Sequence, residues 1–392
     1  MQMPTLSRRK LGVATGAAAL LAMTALAACD PAPDGKVTQL TLAGSDTTQE
    51  VIGQIAGQYN ADGTYNTDGD VNQNILAQQT SAKNVPADDT CGSVTWHTPA
   101  GAGERLAPNG SGAGRDALLA SVQAKDGCVD VARSSGAPRA VGTVAGTDLA
   151  TFQYFAFGLD AVAASAGPNA PAGLTQAQLQ DIYRCNITNW SAVGGANAAI
   201  VRYWPQAGSG TRSFAQSDLL GFDPTTVATC ATAPKTTEEN TGATIAANGD
   251  AANAVVPFSA GNWVAQARGT VGDLRNGLEI LSLNGQNAVT GSGTSSQLNT
   301  AGPVKESNVR LVDPTPAYPG IRYVFNVLDS TAKSYGQAAY FYGFGTDDGS
   351  TFKSPLCNGS KASTLTNFGF GPLDTTVSDN NPAGSTCRLY TP

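Results

Sequence analysis

The sequence predicts an α/β protein of two lobes with a ligand cleft between them. At 392 residues, the chain is longer than a typical single domain. Short apolar strands alternate with segments of helical periodicity, as in open α/β sheets. Polar turns rich in glycine, serine and threonine follow strands in separate parts of the chain, and such sheets bind ligands at the carboxyl ends of their strands.

Five segments are predicted along the chain. They are a signal peptide over 1–28, a tether over 29–36, the first part of lobe I over 37–145, lobe II over 146–265, and a return to lobe I with a disulfide-stapled tail over 266–392. We expect the chain to cross between the lobes near 140–152 and again near 260–309.

The N-terminal segment has the features of an export signal. Arg8, Arg9 and Lys10 precede an uncharged run rich in alanine and leucine, which ends in Leu26-Ala27-Ala28 before Cys29. Small residues before a cysteine resemble the bacterial lipobox, in which cleavage leaves the cysteine as a lipid-bearing N-terminus. We therefore expect a lipid on Cys29 that attaches the protein to the extracytoplasmic face of the cell membrane. The general secretory route and the twin-arginine route both stay open.

The other six cysteines predict disulfide bonds, because their number is even and the predicted compartment is oxidising. Their order suggests the pairs Cys91–Cys128, Cys185–Cys230 and Cys357–Cys387, although six cysteines allow about 15 pairings. A zinc site is the alternative, and it is disfavoured because no Cys-x-x-Cys spacing occurs and the one histidine, His97, has no second histidine near it. We expect neither a metal nor a cofactor.

The charge balance argues against nucleic acid as a partner. The chain has 23 basic and 30 acidic residues and a formal net charge of −7, so it repels a phosphate backbone. A small anion is still compatible with this charge, because oriented donors a few ångströms away outweigh distant carboxylates that solvent screens.

The first part of the chain contains three polar turns. A strand over 38–43 leads through Gly44-Ser45-Asp46-Thr47-Thr48 into a helical pattern. The turn at 109–115 opens a second helix, and the turn Ser134-Ser135-Gly136 follows a strand over 129–132. Ser45 and Ser111 are also suitable helix N-caps when each is considered alone.

The second part contains the fourth turn. Buried strands are predicted at 154–158 and 161–164, Thr175 is predicted to cap an amphipathic helix, and a strand over 200–204 precedes the turn. The later elements are strands at 255–259, 309–312 and 322–327 and helices at 213–220 and 332–342.

This fourth turn, 208–212, has the composition of a seat for a tetrahedral anion. Free N–H groups at a helix start carry partial positive charge, and glycines let an anion approach the backbone. Ser209 and Thr211 add hydroxyl donors, and Arg212 adds a permanent cation. Similar turns also cap helices without binding a ligand, so this turn alone does not establish a site.

In their order along the chain, the four turns resemble the anion loops of the phosphate-binding lipoproteins of bacterial phosphate ABC importers, which have the type II periplasmic-binding-protein fold. The stretch 174–190, which ends in Ile-Thr-Asn-Trp, is similar to that family as well, and the resemblance covers about 40–260. It implies a protein, expected to be a monomer and not an enzyme, that binds inorganic phosphate and delivers it to an ABC permease and its ATPase.

The resemblance also implies a set of phosphate-binding residues with backbone N–H, hydroxyl and guanidinium donors. They are Ser45, Thr47, Thr48, Ser111, Gly112, Ser134, Ser135, Ser209, Gly210, Thr211 and Arg212. Pro205 stands where better-known members have an arginine, so Arg212 is expected to supply the cation. Ser134-Ser135-Gly136 stands where they have a proton-accepting aspartate, and Asp46 is hypothesised to take that role. Arg115 and Arg133 are expected in surface ion pairs.

Three alternatives remain open at this point. One alternative is that the bound anion is another tetrahedral oxyanion, such as sulfate or molybdate. Another is that the protein is a phosphate sensor that serves no transporter. A secreted hydrolase is disfavoured, because a nucleophilic serine needs a nearby base and His97 lies in a loop-like stretch.

Overall fold

The computed structural model describes residues 39–61, 74–77, 84–86, 104–106, 108–300, 306–307, 310–311, 318–347, 350–373 and 384–392. The predicted signal peptide over 1–28, the lipid-bearing Cys29, the tether over 29–36 and Cys91 lie outside the described residues. These assignments, like the lobe boundaries, stay predictions. Among the described residues, no helix has the length and apolar character needed to cross a membrane.

The structure contains eight α-helices within the described ranges, in addition to short turns. The helices are α1 Gln49–Ala61, α2 Gly110–Ala124, α3 Gln176–Tyr183, α4 Gly210–Phe214, α5 Ala243–Ala247, α6 Ala260–Ala267, α7 Tyr335–Tyr342 and α8 Ala362–Asn367. A π-helical segment, Ala215–Leu220, continues α4, and 3-10 turns occur at Trp190–Val193 and Gly293–Ser295.

The strands of the described ranges are mostly short, with two long exceptions. They are β1 Gln39–Gly44, β2 Asn74–Ala77, β3 Asn84–Pro86, β4 Glu104–Leu106, β5 Val131–Ser134, β6 Phe152–Ala166, β7 Gly173–Leu174, β8 Val201–Pro205, β9 Lys235–Thr237, β10 Ala254–Ser259, β11 Glu279–Ile280, β12 Ser282–Leu283, β13 Val289–Thr290, β14 Gln297–Leu298, β15 Glu306–Ser307, β16 Arg310–Leu311, β17 Ile321–Asp329, β18 Phe344–Asp347, β19 Ser350–Lys353, β20 Gly371–Pro372 and β21 Arg388–Tyr390.

A mixed sheet of 11 strands connects the two halves of the molecule, and the predicted α/β fold class is confirmed. Its main path is β2-β1-β5-β17-β6-β10-β8-β9, while β11, β20 and β21 also pair with β6. We call β1, β2, β5 and β17 with α1 and α2 the first half, and β8, β9 and β10 with α4 and α6 the second half. Within each half, β1 lies parallel to β5 and β8 lies parallel to β10, so their carboxyl ends share an edge.

Strand β6 joins the two halves. It pairs with β17 over 152–161 and with β10 over 162–166. The sequence predicts two strands here, at 154–158 and 161–164, because Gly158 and Asp160 interrupt the apolar pattern. The strand is instead continuous for 15 residues, since antiparallel partners cover its whole length and the Asp160 carboxylate is paired with an arginine of β17.

Two predicted disulfide bonds are confirmed, Cys185–Cys230 and Cys357–Cys387. Cys128 is disulfide-bonded as well, and its predicted partner, Cys91, lies outside the described residues. The stapled tail adds more than the predicted covalent bond: β20 and β21 pair with β6. The tail is therefore part of the first half's sheet.

Two helix starts show how capping decides the boundary. Thr175 caps α3 as predicted, in a capping box with Gln178. The helix predicted from residue 213 begins at Gly210, because the Ser209 hydroxyl accepts a hydrogen bond from the Arg212 N–H at 2.9 Å and so acts as the N-cap.

Candidate anion-binding site

The predicted polar turns converge where the two halves of the sheet meet. In the first half, hydroxyls from three turns are in contact: Ser135 Oγ lies 3.2 Å from Ser45 Oγ and 3.2 Å from Ser111 Oγ. The Ser135 N–H also donates to Ser111 Oγ at 2.9 Å. All three serines are at most 1 % exposed, which leaves little water to satisfy their hydroxyls.

The fourth turn joins this cluster from the second half. Thr47 Oγ1 and Thr211 Oγ1 are 3.4 Å apart, and the Gly112 N–H donates to Gly208 O at 2.8 Å. A Cβ atom at Gly210 would lie 2.4 Å from Ser135 Oγ, closer than real Cβ atoms approach, so a side chain here would displace the serine hydroxyls. Donors from both halves therefore meet at one place.

Arg322, which the sequence reasoning missed, is the guanidinium in contact with this cluster. Its Nη2 donates to Thr211 Oγ1 at 2.9 Å and lies 3.4 Å from Thr47 Oγ1, while Nη1 donates to the Ser135 carbonyl at 3.1 Å. The residue lies near the start of β17 and is 4 % exposed. A permanently charged group is thus buried beside hydroxyls of both halves.

Asp160 on β6 holds this guanidinium in place. Its Oδ2 accepts hydrogen bonds from Arg322 Nε at 3.0 Å and Nη2 at 2.8 Å. Its Oδ1 accepts from Ser259 Oγ and from the Gly261 N–H, both at 2.9 Å, at the start of α6. A charge in an apolar strand needs a partner, and Asp160 is such a charge in β6 and Arg322 one in β17. This pattern signals that each residue has a partner.

Arg212 was expected to supply the cation, but its guanidinium has a different contact. Nη1 donates to the Pro205 carbonyl at 3.1 Å, and the Arg212 backbone N–H donates to Ser209 Oγ at 2.9 Å. In the part of the chain that the structure describes, Arg322 rather than Arg212 contacts the hydroxyl cluster. Arg212 as a ligand stays a prediction.

Two further predicted ligands, Ser134 and Thr48, have surroundings unlike those of the clustered serines. Ser134 Oγ donates to the Gly136 carbonyl at 2.8 Å and so is engaged within its own turn. Thr48 is fully buried, and its Oγ1 has no hydrogen-bond partner in the structure. Thr48 thus offers an unused hydroxyl next to the converging loops.

The expected surface location of Arg115 and Arg133 is wrong, although Arg115 does form an ion pair, a buried one with Asp148 at 3.9 Å. Arg133 is fully buried and donates to main-chain carbonyls of the first turn, including Leu42 O at 3.0 Å. Burial lowers its pKa to about 10, against the opposing effect of Asp46. Arg115 is 4 % exposed and donates to Ala137 O at 2.7 Å. Both guanidiniums support loops, because carbonyls of turns need donors when they are buried.

Two acidic residues lie against the fourth turn. Ser209 Oγ donates to Glu239 Oε2, and the Thr211 N–H is 3.4 Å from the same oxygen. Gln206 Nε2 donates to Asp46 Oδ2 at 2.9 Å. Burial holds the pKa of Asp46 well above its ordinary value, and the negative charge of Glu239 raises it further. Among the described residues, no three His, Cys, Asp or Glu side chains form a metal-binding group.

An α/β fold of two halves with donors from both halves converging at their boundary defines a ligand-binding protein of the two-lobed class. The chain belongs to the PBP superfamily domain family, that is, the periplasmic-binding-protein superfamily, whose model matches residues 31–292. This confirms the superfamily to which the four turns point. A comparison with curated protein sequences finds no match.

Several solved structures are similar to the chain at low sequence identity. A phosphate-binding protein from Stenotrophomonas maltophilia is 16% identical, with 86% of this chain and 91% of that chain covered and a TM-score of 0.46. An ABC-type phosphate transport receptor from Vibrio cholerae is 18% identical, with 74% and 87% covered and a TM-score of 0.40. A human phosphate-binding apolipoprotein is 15% identical, with 85% and 90% covered and a TM-score of 0.45.

Proposed function

We propose that this chain is an extracytoplasmic binding protein that captures inorganic phosphate between its two halves and delivers it to an ABC permease and its ATPase. The observation that carries the proposal is the meeting of Arg322 with hydroxyls of both halves, at Thr47 and Thr211. The lipid on Cys29 would keep the protein at the membrane where the permease lies.

Phosphate would be held by hydrogen bonds alone, from donors of three kinds. The start of α4 supplies the N–H groups of Gly210 and Thr211, and Arg322 supplies a fixed positive charge. Hydroxyl donors come from the first and the fourth turn and from the serine cluster. They are Ser45, Thr47, Thr48, Ser111, Ser135, Ser209 and Thr211.

The arrangement also gives a reason for the two halves to close on the ligand. Thr47 belongs to the first half and Thr211 to the second, and a single anion contacts both only when the halves meet. The ligand therefore binds the closed state more tightly than the open one, and this difference in affinity shifts the population toward closure.

The carboxyl group of Asp46 favours phosphate over sulfate. At neutral pH phosphate still carries a proton that it can donate, whereas sulfate offers acceptor oxygens only. In its ionised form the Asp46 carboxyl accepts from the first and repels the second, and because its pKa is raised this preference strengthens as the pH rises. Arsenate, which carries the same proton, is expected to bind as phosphate does.

Isothermal titration calorimetry of the full processed chain in detergent, after removal of endogenous ligand by exchange, tests this proposal. Phosphate, arsenate, sulfate and molybdate are titrated separately. We expect heat from phosphate and arsenate and at least tenfold weaker binding of the other two. Heat from sulfate or molybdate with none from phosphate would replace the proposed ligand, and no heat from any of the four would remove the proposed function.

A further inference from the structure

A carboxylate of the chain itself, that of Glu239, already occupies the donors of the fourth turn. Glu239 Oε2 accepts the Ser209 hydroxyl and lies 3.4 Å from the Thr211 N–H. These two groups are among the donors that the proposed phosphate site requires. Glu239 is 5 % exposed, so its carboxylate is fixed at the start of α4 and does not move freely in solvent.

The backbone places Glu239 there by strand pairing. Strand β9 lies parallel to β8, with Pro205 opposite Thr237, so the residues after β9 pass beside the fourth turn. The Glu239 N–H then donates to Gln206 Oε1 at 2.8 Å. Because the main chain is held in this way, displacement of the carboxylate would have to come from rotation of the side chain.

The carboxylate lies against a second buried acid. Glu239 Oε1 and Asp46 Oδ1 are both buried, and a hydrogen bond joins the two side chains only when one of them carries a proton. The charged groups packed around the turn from neighbouring elements are Asp46 of the first turn, Glu238 after β9, Arg133 of β5, the Arg322–Asp160 pair of β17 and β6, and Arg212 of α4. Negative charge therefore predominates on the side of Glu239 and Asp46, and a proton on this pair reduces their repulsion.

We propose that Glu239 is an internal ligand of the anion seat, which an incoming oxyanion must displace, so that this residue sets the affinity of the site. The inference rests on the proposed function. A site that is occupied by its own side chain for most of the time binds an external ligand more weakly, in proportion to the fraction that is free.

The test is a comparison of Glu239→Gln with the wild-type chain in phosphate titrations between pH 6 and pH 8. The amide has the shape of the carboxylate but lacks its charge, so it competes weakly for the donors of Ser209 and Thr211. We expect phosphate affinity to rise by about tenfold, since charge-assisted hydrogen bonds are roughly twice as strong as neutral ones. We also expect the pH profile of binding to change, because the negative charge of Glu239 raises the pKa of Asp46 and the amide removes that effect.

Two further variants make the result decisive. Glu279→Gln on β11 removes one negative charge away from the fourth turn and should bind phosphate like the wild type. Glu239→Ala also removes the competing carboxylate and should bind phosphate more tightly. It serves as the test if Glu239→Gln does not fold. Unchanged or weaker binding by both Glu239 variants, with an unchanged pH profile, would overturn the inference and leave the proposed function standing. No phosphate binding by the wild type or by any variant would instead remove the proposed function.

Discussion

Arg322 and Asp160 form a buried ion pair, with 2.8 Å between Nη2 and Oδ2, at the point where β6 passes from one half of the sheet to the other. The pair is nearly free of solvent contact, at 3 % and 0 % side-chain exposure. Taking two charges out of water is costly, and their attraction offsets that cost only with good geometry and further hydrogen bonds. The same guanidinium also donates to Thr211 Oγ1, so the pair holds a positive charge where the proposed ligand would bind.

The first prediction concerns this guanidinium. Arg322→Lys keeps a positive charge beside Asp160 but loses the planar fork that contacts Asp160, Ser135 and Thr211 together. We expect phosphate affinity to fall at least tenfold in calorimetry, with the fold retained in circular dichroism. An alanine here would be a poorer test, because an unpaired buried carboxylate costs about 3–5 kcal/mol of stability.

Arg212→Lys is the matched comparison, since the sequence favours that arginine as the cation. Its guanidinium contacts the Pro205 carbonyl, so we expect a change in phosphate affinity of less than threefold. The reverse pattern, with Arg322→Lys at wild-type affinity and Arg212→Lys impaired, would return the role to Arg212.

The second prediction concerns the contact between the halves at Gly210. A Cβ atom there would lie 2.4 Å from Ser135 Oγ and 2.5 Å from Ser111 Oγ. Gly210→Ala should therefore keep the loops apart and weaken phosphate binding at least tenfold, while each half keeps its own core. Gly57→Ala in α1 is the control, because nothing lies within 4 Å of its Cβ position. It should leave binding unchanged and stabilise the helix by about 1 kcal/mol. Equal binding by both variants would contradict the contact.

The parts of this structure that the sequence predicts well are those set by local rules. The cap at Thr175 and the turn at Ser209 follow from residue types a few positions apart. The resemblance of four turns in order also predicts their convergence. Parallel pairing brings the carboxyl ends together within each half, and β6 then joins the two halves so that these ends face each other.

The parts that escaped prediction depend on residues far apart in the chain. Arg322 and Asp160 are separated by 162 positions, and neither lies in a polar turn. Glu239 lies at the fourth turn only because β9 pairs with β8. Local patterns do not specify such pairings. A buried charge in an apolar strand does signal that a partner exists, although it does not identify the partner.

The third prediction is a pH dependence of stability that Asp130 imposes. Burial raises the pKa of this carboxyl to about 6 from its ordinary 3.8, against opposing hydrogen bonds from Ser334 and the Thr41 N–H. The folded state therefore binds more protons than the unfolded state between these two values. The stability that Asp130 contributes is fully present below pH 3.8 and is lost as the pH rises through about 6. A shift of about two pKa units corresponds to about 3 kcal/mol.

Asp130→Asn removes this titration while keeping an oxygen that can accept from the Thr41 N–H, which the native carboxylate accepts at 2.8 Å. In urea unfolding at pH 4 to pH 8, the variant should gain stability relative to the wild type as the pH rises, up to about 3 kcal/mol near pH 7. Comparing the two proteins at each pH cancels the titration of other groups, including Asp46. Glu50→Gln neutralises an exposed carboxyl of α1 and controls for the loss of one charge. The raised pKa would be contradicted if the free energies of unfolding of Asp130→Asn and the wild type differed by the same amount at every pH. A carboxyl group with an ordinary pKa is ionised throughout above about pH 5, so its free energy relative to a neutral amide would not change with pH.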